Sequence, residues 1–111
     1  MPPRTLDLTI ELPESASLPR GSQLVVELRD TALEDAPAVT LQRLRSTVDE
    51  TAAGSLHVSL DSGPIPDGTT LWVHLDVDGD GRVSAGDYIT MQSYPVADRG
   101  PREMTVRLRR V

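Results

Sequence analysis

The densest chemistry in the chain lies in one short stretch, "DVDGDGRVSAGD" from Asp76 to Asp87, which sets four carboxylates among three glycines. Carboxylates this close repel one another unless a cation or a set of donors neutralises them. Calcium is a hard cation that takes six to eight oxygen ligands. One twelve-residue loop geometry supplies them from positions 1, 3, 5, 7, 9 and 12. Asp76, Asp78 and Asp80 fill positions 1, 3 and 5, and Asp87 fills position 12. Arg82 falls at position 7, where the backbone carbonyl is the ligand, and Ser84 at position 9, where a water relays the contact. Gly81 stands at position 6, where the chain must turn through a conformation costly for other residues. Val83 at position 8 is the apolar residue expected to pack inward.

This spacing resembles the loop of EF-hands and dockerins. Asp87 is one methylene shorter than the usual Glu, and the dockerin-type loops that the segment resembles still bind calcium with Asp there. The alternative is a plain Asp/Gly turn, but a turn needs one Asp-Gly and gains nothing from four carboxylates. The flanks differ from both relatives, because "LWVHLDV" before the loop and "YITMQSYPV" after it read as strands. The expectation is therefore an EF-type loop set in one hairpin, holding one structural calcium ion. A ligand at 100 times its dissociation constant adds about 2.7 kcal/mol of stability. That is a large share of the roughly 5–15 kcal/mol of an ordinary domain.

Other reactive residues give less. His57 and His74 both fall at outward-facing strand positions and read as surface histidines; Trp72 shares the face of His74, so a Trp72–His74 patch beside the loop is the alternative. Trp72 and Tyr88 would line a ligand surface, as in calcium-dependent carbohydrate modules, or cover one face of the fold. No serine sits in a nucleophile-elbow context with a matching histidine and acid. The clustered carboxylates are better assigned to metal than to glycoside hydrolysis. The C-terminal "RLRR" reads as an edge strand blunted by charge, with a docking surface for an acidic partner as the alternative.

The elements that must position the loop show a period of two. Leu6, Leu8, Ile10 and Leu12 alternate with polar residues, as do Leu24, Val26 and Leu28. Leu56, Val58 and Leu60 repeat the pattern, followed by Leu71, Val73 and Leu75, then Met104, Val106 and Leu108. Two less regular candidates, "AVTLQRLR" and "YITMQSYPV", bring the total to seven short strands. Turn signals fall at Pro19-Arg20-Gly21-Ser22, Asp35-Ala36-Pro37, Ala53-Gly54-Ser55, Pro66-Asp67-Gly68 and Asp98-Arg99-Gly100-Pro101. "ALEDAPA" offers at most one helical turn, which Pro37 interrupts. The spacing predicts an all-β chain: a single domain over 1–111, folded as an immunoglobulin-like or fibronectin-III-like sandwich.

The 111 residues suit one domain with a real core. The formal net charge of -6 argues against nucleic-acid or anionic-membrane binding. There is no cysteine, so disulfides, thiolate sites and a lipobox anchor are excluded within this sequence. No apolar run approaches the roughly 18 residues of a membrane span. The start of the chain lacks a signal peptide's charged head and apolar stretch. It therefore reads as cytoplasmic, or as an extracytoplasmic mature domain of a longer exported protein.

Three segments carry a family resemblance: "LPRGSQLVVELRDTALEDAPAVTL" (18–41), "GPIPDGTTLWVHLDV" (63–77) and "YITMQSYPV" (88–96). The Leu-Pro-x-Gly entry, a strand ending in Asp30, Asp35-Ala36-Pro37 and Tyr94-Pro95-Val96 resemble the YbaY/YscW lipoprotein-like β-sandwich family. That family includes chaperone or pilot proteins of type III secretion. The resemblance implies a non-enzymatic module with a protein partner. Without the cysteine and export signal, anchoring and a secretin-pilot role are not expected to carry over. The calcium loop is not a general feature of that family. The functional expectation is a calcium-stabilised structural or protein-interaction module, with a carbohydrate-binding or adhesion module around Trp72 as the alternative.

Overall fold

Alternation of apolar and polar residues gives each strand one face to bury, and the computed structural model shows those faces meeting in one core. The structure describes residues 5–13, 21–31, 39–48, 55–61 and 63–111. The strands are β1 (Thr5–Glu11), β2 (Ser22–Asp30), β3 (Val39–Val48), β4 (Ser55–Asp61), β5 (Thr69–Asp76), β6 (Tyr88–Thr90), β7 (Pro95–Val96) and β8 (Glu103–Arg110). Leu6, Leu8 and Ile10 of β1 pack with Leu24, Val26 and Leu28 of β2. Leu71, Val73 and Leu75 of β5 and Val106 and Leu108 of β8 join them. Burying such a side chain contributes about 1.5–3 kcal/mol. Apolar packing therefore supplies most of the fold's stability, and no aromatic-rich centre is needed.

The strands form one continuous path, β3-β2-β5-β6-β8-β1-β4, with β7 pairing the start of β5. β8 joins the two halves. Its first residues run parallel to β1, from Asp7 opposite Glu103 to Glu11 opposite Arg107, and Leu108, Arg109 and Arg110 pair antiparallel with β6. A twisted strand of this length can serve two neighbours in succession, which curls the sheet into a nearly closed barrel. The all-β expectation therefore holds among the described residues, where no helix occurs. The strand order differs from the two separate sheets of the expected immunoglobulin-like sandwich, because β8 belongs to both halves.

Two further expectations change. "YITMQSYPV" splits into β6 and β7: the chain leaves β6 at Met91, buries Tyr94 and returns to β5 at Pro95. Tyr94 fixes that excursion, accepting the Arg107 N–H at its hydroxyl (2.9 Å) and the Leu71 N–H at its carbonyl (2.9 Å). The "RLRR" strand, β8, is interior to the sheet and not an edge; among the described residues the edges are β3 and β4. The possible helical turn in "ALEDAPA", the family-like Leu18-Pro19 and Asp35-Ala36-Pro37, and the turn residues Ala53 and Gly54 lie outside the described residues.

Candidate functional site

The acidic loop is the connection between β5 and β6. Pairing of His74 with Ile89 and of Leu75 with Tyr88 brings its two ends together. The Val111 N–H donates to the Asp87 carbonyl (2.8 Å), tying the loop's exit to the end of β8. Within the loop Gly79 and Gly81 take φ of +70° and +79°. L side chains rarely adopt this backbone, so the glycine at position 6 is used as expected. Val83 departs from expectation: it is 45% exposed instead of packed inward. This loop stands alone at a hairpin end, with no second loop to cover position 8.

Asp76, Asp78, Asp80 and Asp87 each offer a carboxylate oxygen, and these four oxygens lie within 4.8 Å of one another. Asp76 and Asp87 are buried, while Asp78 and Asp80 face solvent. Each is also an acceptor for the loop's own donors. Asp76 takes the N–H groups of Gly79 (3.0 Å) and Gly81 (2.8 Å), one on each oxygen. Asp78 takes the Asp80 N–H (3.3 Å) and the Ser84 hydroxyl (3.2 Å). Asp80 takes the Arg82 N–H (2.9 Å), which is how Arg82 enters the cluster. The Arg82 side chain points to solvent, as expected for a position contributing only backbone.

Asp87 is the most heavily bonded. Its Oδ1 accepts the Val77 N–H (3.0 Å), and its Oδ2 accepts the Ser84 N–H (3.1 Å) and hydroxyl (3.4 Å). His74 Nε2 lies 2.9 Å from the same Oδ2. An ionised carboxylate only accepts, so this ring nitrogen carries the hydrogen. His74 is therefore a correction to the outward-facing surface histidine expected from the sequence. It does lie on the face opposite the core, but the loop folds back over it and leaves it 4% exposed. His57 is exposed as expected, and Tyr88 packs in the core.

The electrostatics show the strain that four acids create. Burial pushes the Asp76 carboxyl above its ordinary value, and the Asp78 carboxylate and Asp87 charge add to it. The N–H groups of Gly81 and Gly79 pull the other way. Asp78 is held below its ordinary value, chiefly by its hydrogen bond with Asp76.

A second constellation adjoins the loop and was missed in the sequence. On the outer face of β2, Glu27 is buried beneath two guanidinium groups: Arg29 Nε donates to its Oε1 (2.8 Å) and Arg43 Nε to its Oε2 (2.9 Å). Burial opposes ionisation of Glu27, but the bonds and charges of Arg29 and Arg43 outweigh it and hold the carboxyl below its ordinary value. Arg29 also stacks 4.0 Å over Trp72, whose ring lies 5.5 Å from that of His74. Trp72 and His74 thus lie side by side, with one face of the indole covered by a guanidinium. The available signal was an acid at an outward position of "QLVVELRD" with an arginine two residues on; Arg43 comes from the neighbouring strand.

The fold is thus an all-β, barrel-like sheet with one acidic loop between β5 and β6. It matches a solved alternative pilotin from the type II secretion system of Vibrio cholerae, with a TM-score of 0.72, 22% identity and 96% of each chain covered. At that identity the likeness shows a common fold. No match was found among curated proteins. Residues 1–108 match the family described as type III secretion system lipoprotein chaperone (YscW), and the chain belongs to that family.

Proposed function

We propose that this chain is a non-enzymatic, chaperone-like protein-interaction module whose β5–β6 loop binds one calcium ion that stabilises the fold. Membership of a lipoprotein chaperone family supports a protein partner and a location outside the cytoplasm. The observation that carries the metal reading is the convergence of the Asp76, Asp78, Asp80 and Asp87 oxygens within 4.8 Å. In the bound loop these four carboxylates, the Arg82 carbonyl and a water on Ser84 would supply the hard oxygen ligands that calcium takes. Extracytoplasmic modules of this kind work at dissociation constants of about 10⁻⁴–10⁻³ M. The carbohydrate alternative is weaker, because Arg29 already covers the indole face on which a sugar would stack.

The test is calorimetry of chelator-stripped protein titrated with calcium, repeated with magnesium present and with Asp80→Ala. The expected result is a one-to-one heat that survives magnesium and is lost in the variant. No heat at millimolar calcium would reduce the loop to a turn held by its own N–H donors. Co-purification of one specific protein with the tagged chain tests the interaction role.

A further inference from the structure

The face beside the loop has a charge pattern that balance within the fold does not require. The whole chain is at -6, yet β3, an open edge of the sheet, carries Arg43 and Arg45 on its outer face. Both are exposed. Glu27 holds Arg43 by Nε alone, so among the described residues its terminal amino groups carry no hydrogen bond. Arg45 has no hydrogen-bond or ion-pair partner among the described residues. Arg29 and Arg43 both grip Glu27 through Nε, which leaves the terminal amino groups of Arg43 for a further acceptor.

Arg43 and Arg45 are two residues apart on one strand face, hence about 7 Å apart, which is the repeat of alternate side chains on any extended chain. Among the described residues β3 pairs with β2 alone, so its outer edge presents backbone N–H and C=O groups for another strand. The inner face of the same edge shows Leu44, half-buried against the core. Two copies of β3 meeting edge to edge would set arginine against arginine, which disfavours self-pairing. A lipid surface is disfavoured as well, because it offers no backbone groups for an open strand edge to pair with.

We propose that the free edge of β3 binds an extended acidic segment of a protein partner as an added strand, with alternate carboxylates on Arg43 and Arg45 and small apolar residues toward Leu44. Backbone pairing would supply the affinity and the arginines the choice of partner. Glu27 acts as a positioning residue: by gripping Nε it aims the terminal nitrogens of Arg43 outward, where a carboxylate can take a charge-assisted bond. This assignment rests on the protein-interaction reading above and does not depend on calcium.

The test is fluorescence anisotropy with a labelled decapeptide of alternating Glu and Val, at low and high salt. The same composition written as Glu-Glu-Val-Val, and the alternating peptide N-methylated at every second residue, serve as comparisons. The alternating peptide is expected to bind, the paired one about tenfold more weakly, and the N-methylated one not at all. Arg45→Ala, an exposed and unpartnered position, should weaken binding about tenfold, as expected for loss of one charge-assisted contact. Arg109→Ala, on β8 and separated from β3 by β2, β5 and β6, should leave it unchanged. Equal binding of all three peptides, or of wild type and Arg45→Ala, would overturn the proposal. Binding to phosphatidylglycerol vesicles instead of peptide, lost in Arg45→Ala, would overturn it in favour of a membrane. Failure here with a specific protein still co-purifying would remove this surface and leave the interaction role standing.

Discussion

Asp87 offers the most informative perturbation, because it serves as a loop staple whether or not it also binds a metal. It is 1% exposed and receives the N–H groups of Val77 and Ser84 and the ring hydrogen of His74. Asp87→Ala leaves all three donors without their acceptor. At about 1 kcal/mol for each lost bond, the protein should lose about 3 kcal/mol. The same change also removes a charge that repels Asp76, so Ala alone cannot separate the two effects. Asp87→Asn removes that charge equally but keeps an oxygen for Val77, and its amide can donate to His74 in the neutral tautomer with Nε2 bare. Only the Ser84 N–H then loses its partner. The difference between Asn and Ala therefore isolates the hydrogen bonds, at about 2 kcal/mol in favour of Asn. Urea unfolding followed by the fluorescence of Trp72, in the presence of a chelator, measures it. Asp80→Ala, which removes an acceptor for one exposed N–H, should change the chelated protein by less than about 0.5 kcal/mol. Asn and Ala variants of equal stability would refute the staple argument, as would an Asp80→Ala loss as large as that of Asp87→Ala.

Three further outcomes follow from the same geometry. Glu27 is held below its ordinary value in the folded state, so its ionised form stabilises the protein. That contribution is fully present above the unfolded value of about 4.3 and is lost as pH falls through the lower folded value. Glu27→Gln should therefore cost about 2 kcal/mol at pH 7, with the gap to wild type closing in acid; a gap unchanged down to pH 3 would contradict this. Tyr94→Phe strips the acceptor from the Arg107 N–H and should cost about 1 kcal/mol in urea midpoint analysis without altering the calcium heat. Gly81→Ala has open space for its Cβ but must hold a φ of +79°, so it should destabilise the chelated protein by about 1 kcal/mol. It should weaken calcium as well, and an unchanged calcium isotherm would show that the left-handed turn is not needed for binding.

The sequence alone settled what depends on local order. A period of two fixed which residues enter the core, because side chains alternate across a strand: Leu6, Leu8 and Ile10 are buried and Thr9 is not. The glycine at position 6 of the loop was legible because only its backbone takes that turn cheaply. The gathering of four aspartates was legible because they lie within one short loop. Val83 was misplaced because the packing of position 8 depends on a neighbour that a lone loop lacks. His74 was read as exposed because alternation names the face of a strand but not what later folds over it; the loop's return puts Asp87 on that ring.

Strand order was beyond local pattern altogether. Nothing in "EMTVRLRR" says that its first half will lie parallel to β1 and its second half antiparallel to β6. That sharing made the charged strand interior and left β3 as an edge. For the same reason the Glu27, Arg29 and Arg43 cluster was only half legible: Glu27 and Arg29 stand two residues apart on one strand face, and Arg43 arrives only when β3 pairs with β2. Side-chain alternation is a property of consecutive residues, whereas pairing partners are chosen by the whole chain closing on its core.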